Sequence, residues 1–132
     1  MTKKLTEALA FDCIVPPQDV GTADVTGTFV DVTDAGRFAV LAKAGAVTAG
    51  KILTVQLRQA KDAAGTGAKD LGAAVTSVGV GGAAPPDVDI EKTPFDLDGA
   101  NDFTHVTAVL GIDEAAKLGA AYLVRGDRRY VP

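Results

Sequence analysis

The segment Lys51-Ile-Leu-Thr-Val-Gln-Leu-Arg-Gln59 has the most regular alternation of apolar and polar side chains in the sequence. Leu53, Val55 and Leu57 fall on one side of an extended chain, and the polar residues between them fall on the other. Because successive side chains of a β-strand point to opposite faces of its sheet, this pattern predicts a strand with one buried and one solvated face. Such strands are typical of antiparallel sheets.

Seven other segments also have the composition of strands, and residues typical of turns separate them. In one of them, Phe38, Val40 and Ala42 alternate onto a single face. The predicted segments are 25–32, 37–43, 71–80, 87–91, 103–110, 120–125 and a short edge strand at 130–131. Helix is expected only over 2–9 and in one turn at 113–117. About eight strands with little helix predict an all-β fold, an antiparallel β-sandwich of the jelly-roll type.

The composition supports one compact sandwich. A chain of 132 residues has the size of a single domain, and 47% hydrophobic residues are enough for a core without disulfides. The chain has 15 Gly, 5 Phe, 2 Tyr and no Trp, which suits thin sheets joined by tight turns. With so few large side chains, no flat apolar patch is expected on the surface.

Two consecutive prolines, Pro16 and Pro17, mark the predicted boundary between two parts of the chain. Since proline cannot donate a hydrogen bond within a sheet, residues 1–17 are expected to form an N-terminal arm or a short extra strand, and residues 18–132 a single β-sandwich domain. The arm contains apolar residues, so it is expected to pack against another chain or back onto the sandwich. On this interpretation, a chain without residues 1–15 still folds.

The charge and the hydropathy pattern exclude two classes of partner. The formal net charge is −4 and there is no basic stripe, so no nucleic acid is expected as a ligand. No apolar run is long enough for a membrane helix, so no membrane partner is expected. The single Cys13 cannot form an internal disulfide, which fits a protein made in a reducing cytoplasm.

No group of residues has the pattern of a catalytic or cofactor site. His105 is the only histidine, and nothing near it or Cys13 in the sequence would orient a catalytic pair. The segment Gly45-Ala-Val-Thr-Ala-Gly50-Lys51 matches the start of a phosphate-binding loop, but Ile52 replaces the Ser or Thr that binds magnesium. A hairpin connection explains both glycines. The sequence therefore predicts a non-enzymatic protein without a cofactor.

Acidic residues are concentrated between positions 87 and 102. They are Asp87, Asp89, Glu91, Asp96, Asp98 and Asp102. A solvated acidic edge that discourages association between sheets is the favoured interpretation. An ion-binding loop at 96–102 stays open as an alternative, although its glycine does not have the register of an EF-hand. No metal ligand is assigned.

Three stretches resemble a group of small structural proteins of tailed bacteriophages. The first, 26–45, reads as a strand, an acidic turn, a hydrophobic strand and a glycine connection. The others are Leu53-Thr-Val-Gln-Leu-Arg-Gln-Ala-Lys-Asp-Ala-Ala-Gly65 and Leu123-Val-Arg-Gly-Asp-Arg-Arg-Tyr-Val-Pro132. Proteins of this group are similar to the jelly-roll decoration, or cement, proteins of phage heads. The resemblance implies a virion protein, made in the host cytoplasm, that binds the major capsid protein on the capsid exterior and forms a homodimer or homotrimer.

Contacts with these partners are expected at the two ends of the chain, where residue types common in interfaces occur. The predicted contact residues are Phe11, Ile14, Arg125, Arg128, Arg129 and Tyr130. Two other functions stay open. One is a carbohydrate-binding β-sandwich module, against which the lack of Trp argues, because sugar rings stack on aromatic faces. The other is a tail or head–tail connector protein of the same phage.

Overall fold

The structure, a computed structural model, describes residues 8–127, which form two antiparallel β-sheets with almost no helix. The strands are β1 (Ala10–Asp19), β2 (Val25–Thr26), β3 (Val30–Asp31), β4 (Arg37–Ala44), β5 (Ile52–Ala60), β6 (Lys69–Asp70), β7 (Val75–Val78), β8 (Val88–Lys92), β9 (His105–Ile112) and β10 (Leu118–Gly126). Two 3₁₀ turns, Pro94–Asp96 and Gly99–Asn101, lie between β8 and β9. The predicted helix at 2–9 falls mostly outside the described residues, and the predicted edge strand at 130–131 falls entirely outside them.

The two sheets are connected as in a jelly roll. The four-stranded sheet has the order β1-β10-β4-β8, and the six-stranded sheet has the order β2-β9-β5-β6, with β3 on β9 and β7 on β5. Both β2 and β3 pair with β9, so together they form one interrupted strand. In the same way, β6 and β7 both pair with β5 and form a second interrupted strand. Counted in this way, each sheet has four strands, and all connections but one cross between the sheets. This confirms the predicted antiparallel, jelly-roll-like sandwich.

The core lies between the two sheets and is made by alternating residues of their central strands. Leu53, Val55 and Leu57 of β5 are at most 1% exposed, as are Phe38 and Val40 of β4. The strand β5 pairs along its length with β9, and β4 pairs with β10. The alternation predicted for both strands is therefore confirmed.

The predicted strand at 25–32 is split into β2 and β3 at Gly27. A Cβ atom at Gly27 would lie 2.7 Å from Oγ1 of Thr107 and 2.8 Å from the carbonyl oxygen of Ile14. The next residue, Thr28, donates its backbone N–H to that same carbonyl of Ile14, at 3.0 Å. The chain bridges the two sheets here, and the close approach leaves no room for a side chain.

Three other sequence-based expectations are corrected. The strand predicted over 71–80 shortens to β7. The predicted helical turn at 113–117 is absent, and the chain turns there through Ala116, whose φ is 57°. The connection that contains Gly45 and Gly50 is not a hairpin, because it links β4 in one sheet to β5 in the other.

The strand β1 runs through both Pro16 and Pro17 and pairs with β10 on one side. It lies at the edge of the four-stranded sheet, where a missing N–H does not interrupt a central ladder. Its register shifts after Cys13 and after Val15. Ile14 and Val15 are 2% and 0% exposed and belong to the core. Of the two predicted alternatives for residues 1–17, the structure has the short extra strand, and the prolines do not separate it from the sandwich. The burial of Ile14 and Val15 argues against the prediction that a chain without residues 1–15 still folds.

Replacing Ile14 by Ala is expected to lower the free energy of unfolding by about 3 kcal/mol, because truncating a buried isoleucine leaves a cavity. Phe11→Ala is the matched control, since Phe11 lies on the same strand but is 52% exposed, and it should cost less than about 1 kcal/mol. Urea unfolding followed by circular dichroism measures both losses. Equal losses in the two variants would contradict the burial of Ile14.

Candidate interaction surface

The two sheets differ in what their outer faces expose. In the six-stranded sheet, the central strand β5 turns the polar side chains of Thr54, Gln56 and Arg58 outward. In the four-stranded sheet, Leu41 of β4 and Tyr122 of β10 point outward and are 40% and 43% exposed. An antiparallel sandwich in water normally has polar outer faces, so Leu41 and Tyr122 depart from this rule, as does Val78 of β7 on the other sheet, which is 50% exposed.

The strand register gathers these outward residues into rows across the four-stranded sheet. The middle row is Cys13, Tyr122, Leu41 and Asp89, and the next row is Phe11, Val124, Ala39 and Glu91. The apolar face is defined here as Phe11, Ala39, Leu41, Leu118, Ala120, Tyr122 and Val124. Charged residues interrupt and border it: Asp89 and Glu91 on β8, and Arg37 and Lys43 on β4, where Lys43 is paired with Ala120 across the strands.

The apolar face has a ridge between two hollows. Leu41 and Tyr122, which are paired across the strands, form the ridge. Toward one end of the strands, a hollow of about 240 Å³ opens over Ala39 and Val124. Toward the other end, a hollow of about 150 Å³ opens over Ala120. Such a surface carries both a projection and recesses of side-chain size.

Both edges of the four-stranded sheet resist pairing with a strand of another molecule. On the edge strand β1, Pro16 and Pro17 lack backbone donors, and two register irregularities bend the strand. On the opposite edge strand, β8, Asp89 and Glu91 are exposed. Prolines, bulges and charges are the features that block edge-to-edge association. The apolar face is therefore the part of this sheet that is open to contact.

Arg125 connects the two sheets at one end of the sandwich. Its Nη1 atom lies 3.2 Å from the backbone oxygen of Asp31 and 3.2 Å from Oδ1 of Asp34, and its Nη2 atom lies 3.2 Å from Oδ2 of Asp12. Asp12 belongs to β1 and Asp31 to β3, so one guanidinium joins both sheets. The Arg125 side chain is only 17% exposed. Its contacts are internal ones.

The predicted contact residues fall into three groups. Phe11 lies on the apolar face and is exposed. Ile14 lies in the core and Arg125 lies in the ion-pair cluster, so neither side chain is presented to a partner, which corrects the prediction for both. Arg128, Arg129 and Tyr130 lie outside the described residues.

Leu41 and Tyr122 were not among the residues predicted from the sequence. A signal for Leu41 is present, because burying Phe38, Val40 and Ala42 on one face leaves Leu41 on the other. The same reasoning applies to Tyr122, because its neighbours Ala121 and Leu123 are fully buried and alternation puts Tyr122 on the opposite face. The expectation that few large side chains are left for an apolar surface is wrong, because Phe11, Leu41, Leu118 and Tyr122 are all exposed on the four-stranded sheet.

The carboxylates of Asp96 and Asp98 are held by hydrogen bonds within the chain. Lys69 Nζ donates to Asp98 Oδ2 at 2.5 Å, and Asn101 Nδ2 donates to the same oxygen at 2.8 Å. These two hydrogen bonds, that of Lys69 first, lower the pKa of Asp98. Asp96 accepts the backbone N–H of Thr93 at 2.8 Å. Among residues 8–127, no three His, Cys, Asp or Glu side chains are arranged to hold a metal ion.

Cys13 and His105 are not brought together. Cys13 is exposed on β1 of the four-stranded sheet, and His105 is on β9 of the six-stranded sheet. The ring atom Nδ1 of His105 lies 2.8 Å from Oγ1 of Thr104. In the described part of the chain, no helix has the length and hydropathy to span a bilayer.

No family model matches this chain, and no curated protein matches its sequence. Solved structures do share its fold. The VP2 subviral particle protein of infectious bursal disease virus has a TM-score of 0.53 and 9% identity, over 94% of this chain and 33% of that one. This chain thus spans about one third of VP2. At this identity, the likeness concerns the jelly-roll fold alone.

Two other structures are similar over most of this chain. A Bacillus endospore appendage, from a family of disulfide-linked pili, has a TM-score of 0.43 and 12% identity over 92% of this chain and 89% of that one. The carbohydrate-binding module CBM28, specific for non-crystalline cellulose, has a TM-score of 0.42 and 11% identity over 89% of this chain and 74% of that one.

Replacing Arg125 by Met is expected to lower the free energy of unfolding by about 2 kcal/mol, because Asp12 and Asp34 lose their shared cation while the apolar stem is kept. The matched control is Arg37→Met, which breaks the exposed ion pair with Asp127 and should cost less than about 1 kcal/mol. Thermal and urea unfolding of both variants give the comparison. If Arg125→Met lowers the free energy of unfolding no more than the control does, Arg125 does not hold the two sheets together.

Proposed function

We propose that this protein is a non-enzymatic virion component, a decoration protein that binds the exterior of a tailed-phage head and stabilises its shell of major capsid protein. The apolar face carries this proposal. It lies on a paired, regular sheet, and an exposed apolar surface of this kind marks a protein that acts in an assembly. The resemblance to small phage structural proteins is the reason for proposing a phage head as this assembly.

The rest of the described structure supports a role in binding. Between the sheets, the Arg125 guanidinium lies 3.2 Å from carboxylate oxygens of Asp12 and Asp34, while its Nε atom and Asp12 Oδ2 make no hydrogen bond within residues 8–127. A hollow of about 370 Å³ is lined by the loops around Val47 and Gly81 and by Lys117. It lies open beside small and apolar residues, and Lys117 is paired with Glu114 at 3.4 Å. A rigid sandwich with these features works through its surface.

Phe95 is our candidate for the contact with the capsid. It is 91% exposed, at the end of the sandwich where β8 connects to β9. The 3₁₀ turn that presents it is held by two hydrogen bonds: the Thr93 N–H donates to Asp96 Oδ2 at 2.8 Å, and the Asp96 N–H donates to the carbonyl oxygen of Thr93 at 2.9 Å. An aromatic side chain on an ordered turn loses little conformational entropy on binding, which is the property of a good anchor.

The protein is expected to co-sediment with phage heads assembled without it, to saturate at a fixed number of copies per head, and to raise the temperature at which the heads disrupt. Phe95→Ala should weaken this binding about tenfold or more, the effect of losing a buried aromatic anchor. Val80→Ala is the matched control, because Val80 is 76% exposed but lies at the other end of the sandwich.

Three outcomes would contradict the proposal. Absence of binding to heads excludes a decoration protein. Binding to isolated tails or connectors in place of heads indicates the connector function. Binding to cellulose or another polysaccharide indicates a carbohydrate-binding module, in which Tyr122 and Phe11 of the apolar face would be the stacking residues.

A further inference from the structure

We infer that the outer edge of β7 is a second contact with the capsid, and that its partner is an extended peptide segment that adds one more strand to the six-stranded sheet. The inference deepens the proposed function, on which it rests, by naming the kind of capsid segment that is bound. That segment is apolar where it pairs with β7, and it carries a carboxylate where it passes Lys92.

A row of backbone groups on β7 has no strand partner. The N–H of Gly79 donates to the carbonyl oxygen of Lys51 at 2.8 Å, in line with the register of β5 and β7. Because the backbone groups of successive residues in a strand point in opposite directions, Ser77 also faces β5, whereas Thr76 and Val78 face away from it. In the described part of the chain β7 pairs only with β5, so the outward N–H and C=O groups of these two residues are open to another strand.

The edge of β7 lacks the features that close the other three sheet edges. Prolines and bulges close β1, and exposed acidic residues close β8. The edge formed by β2 and β3 is broken at Gly27, where the chain bonds to the other sheet. The strand β7 reads Val75-Thr-Ser-Val78, with neither charge nor proline, and Val78 is 50% exposed. An uncharged, β-branched edge of this kind is a template for an added strand.

The open length of this edge is the four residues of β7. On the inner side, Ser77 Oγ donates to the carbonyl oxygen of Pro86 at 2.6 Å, which holds the connection to β8 between the sheets. Beyond Val78 the chain turns, since the backbone oxygen of Val80 accepts the N–H of Ala83 at 3.1 Å. Val80 is therefore outside the pairing edge.

This length favours an extended segment over a second sandwich. Four residues at about 3.3 Å each span about 13 Å. A second copy that met this edge alone would bury far less than the roughly 800 Å² per partner of a standard interface. An extended segment can pair with the edge and then continue along the same side of the molecule, where it gains further contacts.

Lys92 and Phe95 lie on the continuation of this edge. A Cβ atom at Gly72 would lie 3.5 Å from Nζ of Lys92, so the Lys92 side chain reaches from β8 to the segment that precedes β7. Within residues 8–127, no carboxylate forms an ion pair with Lys92. A segment that leaves β7 at Val75 passes this ammonium group on its way to the turn of Phe95. Charge complementarity therefore places a carboxylate in the partner at this point.

Thr76→Pro removes an outward N–H and is expected to weaken co-sedimentation with phage heads about tenfold, because the ladder to the added strand is broken. An edge strand tolerates proline where its N–H faces outward, so the variant should fold. Thr76→Val is the matched control, since it keeps both the N–H and the branched shape, and it should bind as the unmodified chain does. Circular dichroism and thermal melting check the fold of both variants.

Hydrogen exchange of the unmodified chain tests the pairing without any substitution. The amides of Thr76 and Val78 should exchange quickly in the free protein, and binding to phage heads should slow their exchange. Mass spectrometry of peptides that cover 75–78 measures this change. Peptides from β4, which is paired on both sides, are the internal control and should exchange slowly in both states.

The carboxylate of the partner is tested by reversing a charge. Lys92→Glu is expected to weaken binding to heads about tenfold at low salt and less at high salt, because salt screens the repulsion. Lys43→Glu is the control, since Lys43 is exposed at the other end of the sandwich, and it should leave the binding unchanged. Equal effects of the two reversals would remove the carboxylate from the inference.

The inference is overturned if the amides of β7 stay unprotected in the head-bound protein, or if a folded Thr76→Pro binds heads as tightly as Thr76→Val. Either result leaves the proposed function standing, provided that the unmodified chain binds heads and Phe95→Ala weakens this binding. A dimer in sedimentation equilibrium that Thr76→Pro dissociates would assign the edge to a second copy and overturn the inference as well. Absence of any binding to heads refutes the proposed function itself.

Discussion

The pairing of β10 with β1 on one side and β4 on the other is the constraint on which the rest of this structure depends. It places the strand that begins at Leu118 in the middle of a sheet whose other members come from the first part of the chain. Arg125 reaches Asp12 and Asp34 only because β10 lies between their segments. The same pairing aligns Tyr122 with Leu41 and so creates the ridge of the apolar face.

The sequence predicts the parts of the fold that depend on local alternation. The burial of Leu53, Val55 and Leu57 follows from the pattern of one strand, and the sandwich follows from several such strands. The extent of β1 is missed, although a short extra strand is one of the predicted alternatives, because prolines are taken as breaks, whereas an edge strand tolerates them. Its bulges also bury two consecutive residues, Ile14 and Val15, which no strict alternation anticipates.

The candidate surface is less predictable, since it depends on register. Leu41 and Tyr122 are far apart in the sequence and become neighbours only through the alignment of β4 and β10. Arg125 is of a residue type that is common in interfaces. Its partners Asp34 and Asp12, however, lie 91 and 113 residues away in the sequence and hold its side chain inside the protein. Residue type at a chain end is therefore a weak guide, whereas a large apolar residue on the polar side of an alternating strand is a better one.

The central position of β10 also bears on how the chain folds as it is synthesised. Until β10 has left the ribosome, β1 and β4 have no common neighbour, so each has a strand edge whose backbone groups are unpaired. Contacts between residues this distant in sequence slow folding, because a large loop must close before any of them forms. During this interval the unpaired edges are open to aggregation. The prolines of β1 and the acidic residues of β8 then have a second role, since they protect the nascent sheet edges from aggregation while the core is still incomplete.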